Sequence, residues 1–133
     1  MVALDATEVS ARVLDACLTE IRAFKPGNVS LASPGHGMRA EDFIASAHAA
    51  SVAMAQPGLT VGERILRAIE ATRFVVSFNT NLGIVLLCAP LAHAALQSSV
   101  RRGLRARLEG VLAGLTASDE TRRRHRCATD RIP

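Results

Sequence analysis

The stretch SFNTNLGIVLLCAPL, residues 77–91, decides how this chain is read. Three uncharged polar residues, Asn79, Thr80 and Asn81, stand directly before a run that carries no charge. A helix starting near Leu82 would be apolar on nearly every side, which asks for neighbouring helices to bury it. The apolar run is about fifteen residues long and holds Pro90 and His93, short of the roughly 20 residues that a bilayer span needs. Pro90 lacks an N–H, and its ring clashes with the carbonyl four residues back, so a kink or a division is expected there.

The rest of the chain supplies the neighbours. Residues 6–24 repeat Val13, Leu14, Cys17, Leu18, Ile21 and Phe24 at helical spacing; Asp5 or Thr7 could cap the start, and Asp5 with Glu8 resembles a capping box. A second helix is expected over residues 40–56, where Ala45, Ser46, Ala47, Ala49, Ala50 and Ala53 would let another helix approach closely. Pro57 and Gly58 end it, and Thr60 with Glu63 caps a third helix carrying Ile65, Leu66 and Ile69 on one face. A last helix is expected over residues 100–115, with Leu104, Leu108, Val111, Leu112 and Leu115 inward. The 133 residues are 49% hydrophobic, with four Phe and no Trp or Tyr. That length suits one domain, and that composition favours packed helices over sheets. The expectation is all-α: about five helices over residues 1–118, then an arginine-rich, disordered tail over residues 119–133.

The net charge is +4, carried by fifteen Arg and one Lys, with five Arg in the last fifteen residues. The body is only mildly basic, which suits a site for an anionic small molecule as well as a nucleic-acid surface. Aromatic platforms for single-stranded nucleic acid are scarce. Cys17, Cys88 and Cys127 are odd in number and lack any C-x-x-C spacing, which argues against a disulfide framework or a zinc site and suits a reducing cytoplasm.

Four polar elements carry candidate chemistry. KPGNVS, residues 25–30, joins the only lysine, Lys25, to Gly27 and Asn28. Lysine is a compact charge for phosphate, and glycine lets the backbone approach a ligand; the plain alternative is a surface turn. GHGM, residues 35–38, sets His36 between glycines, where it could act as acid, base or ligand. Glu41 and Asp42 follow, either for proton transfer or as ordinary acids in a first helical turn. Asn79, Thr80 and Asn81 cap a helix, or, with Gly83 and the positive helix end, seat phosphate or ribose hydroxyls. His48 and His93 read as satisfied or half-exposed helix histidines among alanines. RRRHR, residues 122–126, reads as a solvated tail rather than a nucleic-acid patch.

Taken in order, KPGNVS, the following H-x-M with DFIASA, G-x-x-I-L-x-A-I-x-A-T and NTNLGIVLLCAPLA resemble the triphosphoribosyl-dephospho-CoA synthase family over about residues 10–115. The resemblance implies an all-helical cytoplasmic transferase that joins ATP to 3′-dephospho-CoA, or a related acceptor, and releases adenine. Its product is the prosthetic-group precursor of citrate lyase and malonate decarboxylase acyl-carrier subunits. On this chain it marks the positions of Lys25, Gly27, Asn28, Asn79, Thr80, Asn81 and Gly83, and of His36, Glu41 and Asp42. Residue chemistry suggests phosphate or ribose binding for the first set, and proton transfer or a Mg²⁺ that travels with ATP for the second. HGM lacks the Asp, and NTNLG the His-Lys pair, of the citrate-lyase type, which brings the chain closer to a variant branch. Family members are longer, so the resemblance also implies an N-terminal part of a larger helical fold, with the reading shifted after Leu115. Such a part would expose an apolar face and self-associate. A small basic helical protein that binds nucleic acid through Arg101, Arg102 and the tail is the contrasting expectation.

Overall fold

The computed structural model describes residues 3–26, 29–31, 37–98 and 102–115. Within them lie five α-helices, α1 (Ala6–Arg22), α2 (Ala40–Met54), α3 (Val61–Val75), α4 (Leu82–Leu96) and α5 (Leu104–Ala113), and no strand longer than an isolated bridge. The expected tail lies outside the described residues. No helix among the described residues is long and apolar enough to cross a membrane.

Local chemistry sets the helix starts. Asp5 Oδ1 accepts from Glu8 N at 2.8 Å while Glu8 Oε2 accepts from Asp5 N at 3.0 Å. Thr60 and Glu63 repeat the reciprocal pair at α3. Each box satisfies donors that a bare helix end leaves without partners. α2 packs against both α1 and α3, and its buried face is made of small side chains, Ser46, Ala47, Ala50 and Ala53, ending in Met54. α4 then lies against α1, α3 and α5. Val9, Val13, Met54, Ile65, Ile69, Val85 and Val111 are the larger side chains of one continuous core.

Three expectations need correcting. Of the kink or division expected at Pro90, the division does not occur, since α4 runs through it as one helix; the neighbours α3, α1 and α5 bury enough of α4 to offset one missing backbone bond. Phe24 is not on the buried face of α1: the helix ends at Arg22 and the ring is 68% exposed. On α5 Val111 is buried and Leu108 and Leu115 pack against the core as expected, but Leu104 and Leu112 are exposed and Arg107 is buried beside Val111. Residues 107 and 111 are one turn apart and share a face.

Arg107 is buried because it closes the preceding helix. Its Nη1 donates to the carbonyl of Gln97 at 2.5 Å and approaches that of Ala95 at 3.5 Å, both at the C-terminal end of α4. Arg64 does the same for α2, donating from Nη1 to Met54 O at 2.8 Å and Gln56 O at 2.5 Å. Each arginine stands four residues after the N-cap of its helix, Thr60 or Gly103. A cation at a helix C-terminus meets bare carbonyls and the negative end of the dipole. α2–α3 and α4–α5 are thus two helical hairpins closed by one device.

Candidate functional site

A cleft of about 640 Å³ opens where α4 begins. One wall is the start of α4, with Asn79, Thr80, Asn81 and Gly83. The facing side is formed by Glu20 from the last turn of α1 and Phe43 from the first turn of α2, with Val29 and Met38 from the connection between them.

The three polar residues before α4 have three different partners. Asn79 Oδ1 accepts from Leu82 N at 3.2 Å and is the cap. Thr80 Oγ1 lies 2.6 Å from Ser46 Oγ on α2. Ser46 has a carbonyl acceptor in Asp42, at 2.6 Å, so the threonine hydroxyl is the donor in that pair. Asn81, buried, donates from Nδ2 to Thr72 Oγ1 on α3 at 2.9 Å, and Thr72 passes its own proton to Ala68 O. One residue caps, and the other two fasten the mouth of α4 to α2 and α3.

That fastening leaves backbone at the cleft surface. The first-turn N–H groups of Gly83 and Ile84 have no intrahelical acceptor. A Cβ placed on Gly83 would meet nothing within 4 Å. An anion can therefore approach the positive end of α4 at close range.

The other marked residues divide. Lys25 pairs with Glu20, a carboxylate of the cleft wall, which ties the lysine to the rim. Asp42 accepts from Arg39 N at 2.9 Å and caps its own helix, and Glu41 is exposed; neither lines the cleft, although Phe43 beside them does. Gly27, Asn28 and His36 lie outside the described residues, and Val29 and Met38, close to them in the chain, line the wall. Glu20, Ser46 and Thr72 were not marked by the sequence. Glu20 lies five residues before Lys25, and only the end of α1 between them brings the two charges together.

No group of three or more His, Cys, Asp or Glu that could hold a metal ion occurs among the described residues. Cys17 and Cys88 are free thiols on α1 and α4. Burial pushes Cys17 up to about 11, with the nearby Cys88 adding to the rise, and burial raises Cys88 too. His48 is exposed. His93 has partners that its alanine neighbours on α4 do not supply: its Nδ1 lies 3.1 Å from Leu59 O and 3.4 Å from Arg64 Nε.

No curated protein and no solved structure matches the chain. The family model described as ATP:dephospho-CoA triphosphoribosyl transferase matches residues 6–129. The match takes in all five helices and both the Lys25 and Asn79 ends of the cleft. With nearly the whole chain matched, this protein belongs to the ATP:dephospho-CoA triphosphoribosyl transferase family.

Proposed function

We propose that this chain transfers the triphosphoribosyl group of ATP to dephospho-CoA, or to a related hydroxyl acceptor, in the cleft at the start of α4. The observation that carries this reading is the open helix end at Gly83 and Ile84, held in place by Asn79, Thr80 and Asn81. The triphosphate would accept from those backbone N–H groups and from the amide of Asn79, whose oxygen alone is used by the cap. Lys25, tied to Glu20 of the cleft wall, would meet the phosphates from the opposite rim, and Gly27 and Asn28 follow it in the chain as further candidates.

The reaction forms a bond from an acceptor hydroxyl oxygen to C1′ of the ATP ribose and breaks the bond from C1′ to adenine N9. Positive charge builds on the ribose as adenine leaves, as in other glycosyl transfers. The hydroxyl proton needs a base, and Glu20 is the carboxylate on the cleft wall. His36, Glu41 and Asp42 are the remaining candidates for moving a proton to adenine. A Mg²⁺ carried by the triphosphate needs only one or two protein carboxylates beside its phosphate oxygens and waters, and Glu20 fits that demand. The exposed Phe74, Val75 and Phe78 at and just past the end of α3 support self-association of the chain. The nucleic-acid alternative rests on Arg101, Arg102 and the arginine-rich tail, of which only Arg102 lies among the described residues.

The test is adenine release from ATP and Mg²⁺, followed by chromatography with and without dephospho-CoA. Release only with the acceptor, and a loss of tenfold or more in Lys25→Ala and Glu20→Gln, is expected. Release that both variants retain would move the chemistry out of this cleft.

A further inference from the structure

The far end of α4 opens on a second cleft, of about 600 Å³, between the start of α3, the end of α4 and α5. It is about 20 Å from the first along the helix axis, by the rise of 1.5 Å per residue. Its lining includes Arg102, Arg107, His93, Thr60 and Ser98, and no acidic side chain among the described residues.

Arg107 is the informative member. It is only 6% exposed, yet its Nε is buried with no hydrogen-bond partner among the described residues. Nη1 is taken by the carbonyls at the end of α4. The opposite edge of the guanidinium, Nε with Nη2, is the pair of parallel donors that grips two oxygens of one anion. No protein acceptor among the described residues meets that edge. Arg64, in the equivalent position of the other hairpin, has His93 Nδ1 within 3.4 Å of its Nε. A buried N–H without an acceptor is costly, and a bound oxyanion removes that cost.

We propose that this second cleft binds the phosphate group of a small molecule, with the Nε–Nη2 edge of Arg107 gripping two phosphate oxygens and Arg102 supplying the second positive charge. The hydroxyls of Thr60 and Ser98 stand on the same lining for the remaining oxygens. Phosphate suits the cleft better than a carboxylate, because two arginines and two hydroxyls exceed what one carboxylate can accept. The site is separate from the transfer cleft and holds whether or not that reading stands.

Titrating the full chain with inorganic phosphate, while following arginine Nε–H signals by two-dimensional NMR, tests this. Arg107→Lys assigns the signal by removing it. The Arg107 Nε–H signal is expected to shift saturably with phosphate, and not with acetate or chloride at the same ionic strength. Arg102→Gln, at an exposed position and with an unchanged urea midpoint checked first, is expected to weaken phosphate about tenfold, the worth of one charge-assisted contact. An unmoved signal, an equal shift with acetate, or unchanged affinity in Arg102→Gln would overturn the proposal.

Discussion

The two ends of α4 use polar groups in opposite ways. At the start, the side chains that look available for a ligand are largely engaged within the protein: Asn79 caps, Thr80 bonds α2 and Asn81 bonds α3. What remains for a ligand is backbone N–H and the open space over Gly83. At the far end, Arg107 is buried by a structural task that uses one terminal nitrogen and leaves Nε without an acceptor. A polar residue in a site can therefore serve the fold with one atom and a ligand with another, and the atoms have to be counted separately.

The sharpest way to break this contrast is to remove the two closing arginines in turn. Arg64→Met takes away two close charged hydrogen bonds from a residue that is 2% exposed, and should cost about 3 kcal/mol in urea unfolding. Arg107→Met loses one close bond and one long one but also relieves the unpartnered Nε, so its cost should be about 1 kcal/mol. Equal losses would mean that Arg107 is as well satisfied as Arg64.

The middle of α4 gives a smaller, pH-dependent effect. Cys17 titrates at about 11 in the fold against 9.0 when free, and Cys88 moves in the same direction. The fold holds its thiol protons more tightly than the unfolded chain does. Stability should be flat below pH 9 and fall as pH rises from 9 towards 11. For half-buried thiols the loss should be about 1 kcal/mol, after allowing for solvent screening. Cys17→Ala should flatten the decline; a variant that declines as steeply would remove the thiol from the explanation.

The smallest expected change in stability is that of Gly83→Ala. The added methyl meets nothing and alanine is the better helix former, so unfolding should shift by no more than about 0.5 kcal/mol. A large loss of stability would show that the glycine serves the fold and not the cleft.

The helices were legible in the sequence because their signals are local. Asp5 with Glu8 and Thr60 with Glu63 carry both halves of a capping box within four residues, and the structure forms both. Apolar spacing similarly located Ile65 and Ile69 in the core. That α4 continues through Pro90 could not be read, because the proline penalty is local while the packing of α4 against three helices is not. Arg107 was hidden for the same reason: a charged residue on a short helix reads as exposed until the carbonyls of Ala95 and Gln97 are placed beside it. At the cleft by the start of α4, the polar run Asn79, Thr80 and Asn81 with Gly83 stands out in the sequence, and the structure places it on the lining. Their partners Ser46 and Thr72 could not be read, because tertiary bonds across 34 and 9 residues leave no spacing rule.

The central claim is that ATP meets the backbone at the start of α4. The most direct test is dephospho-CoA-dependent adenine release by Gly83→Ala beside the unaltered chain, with both shown to unfold at the same urea concentration. The account expects the unaltered chain to release adenine and the variant to lose at least tenfold, because the methyl stands where phosphate would approach. Equal rates in two equally stable proteins would contradict it.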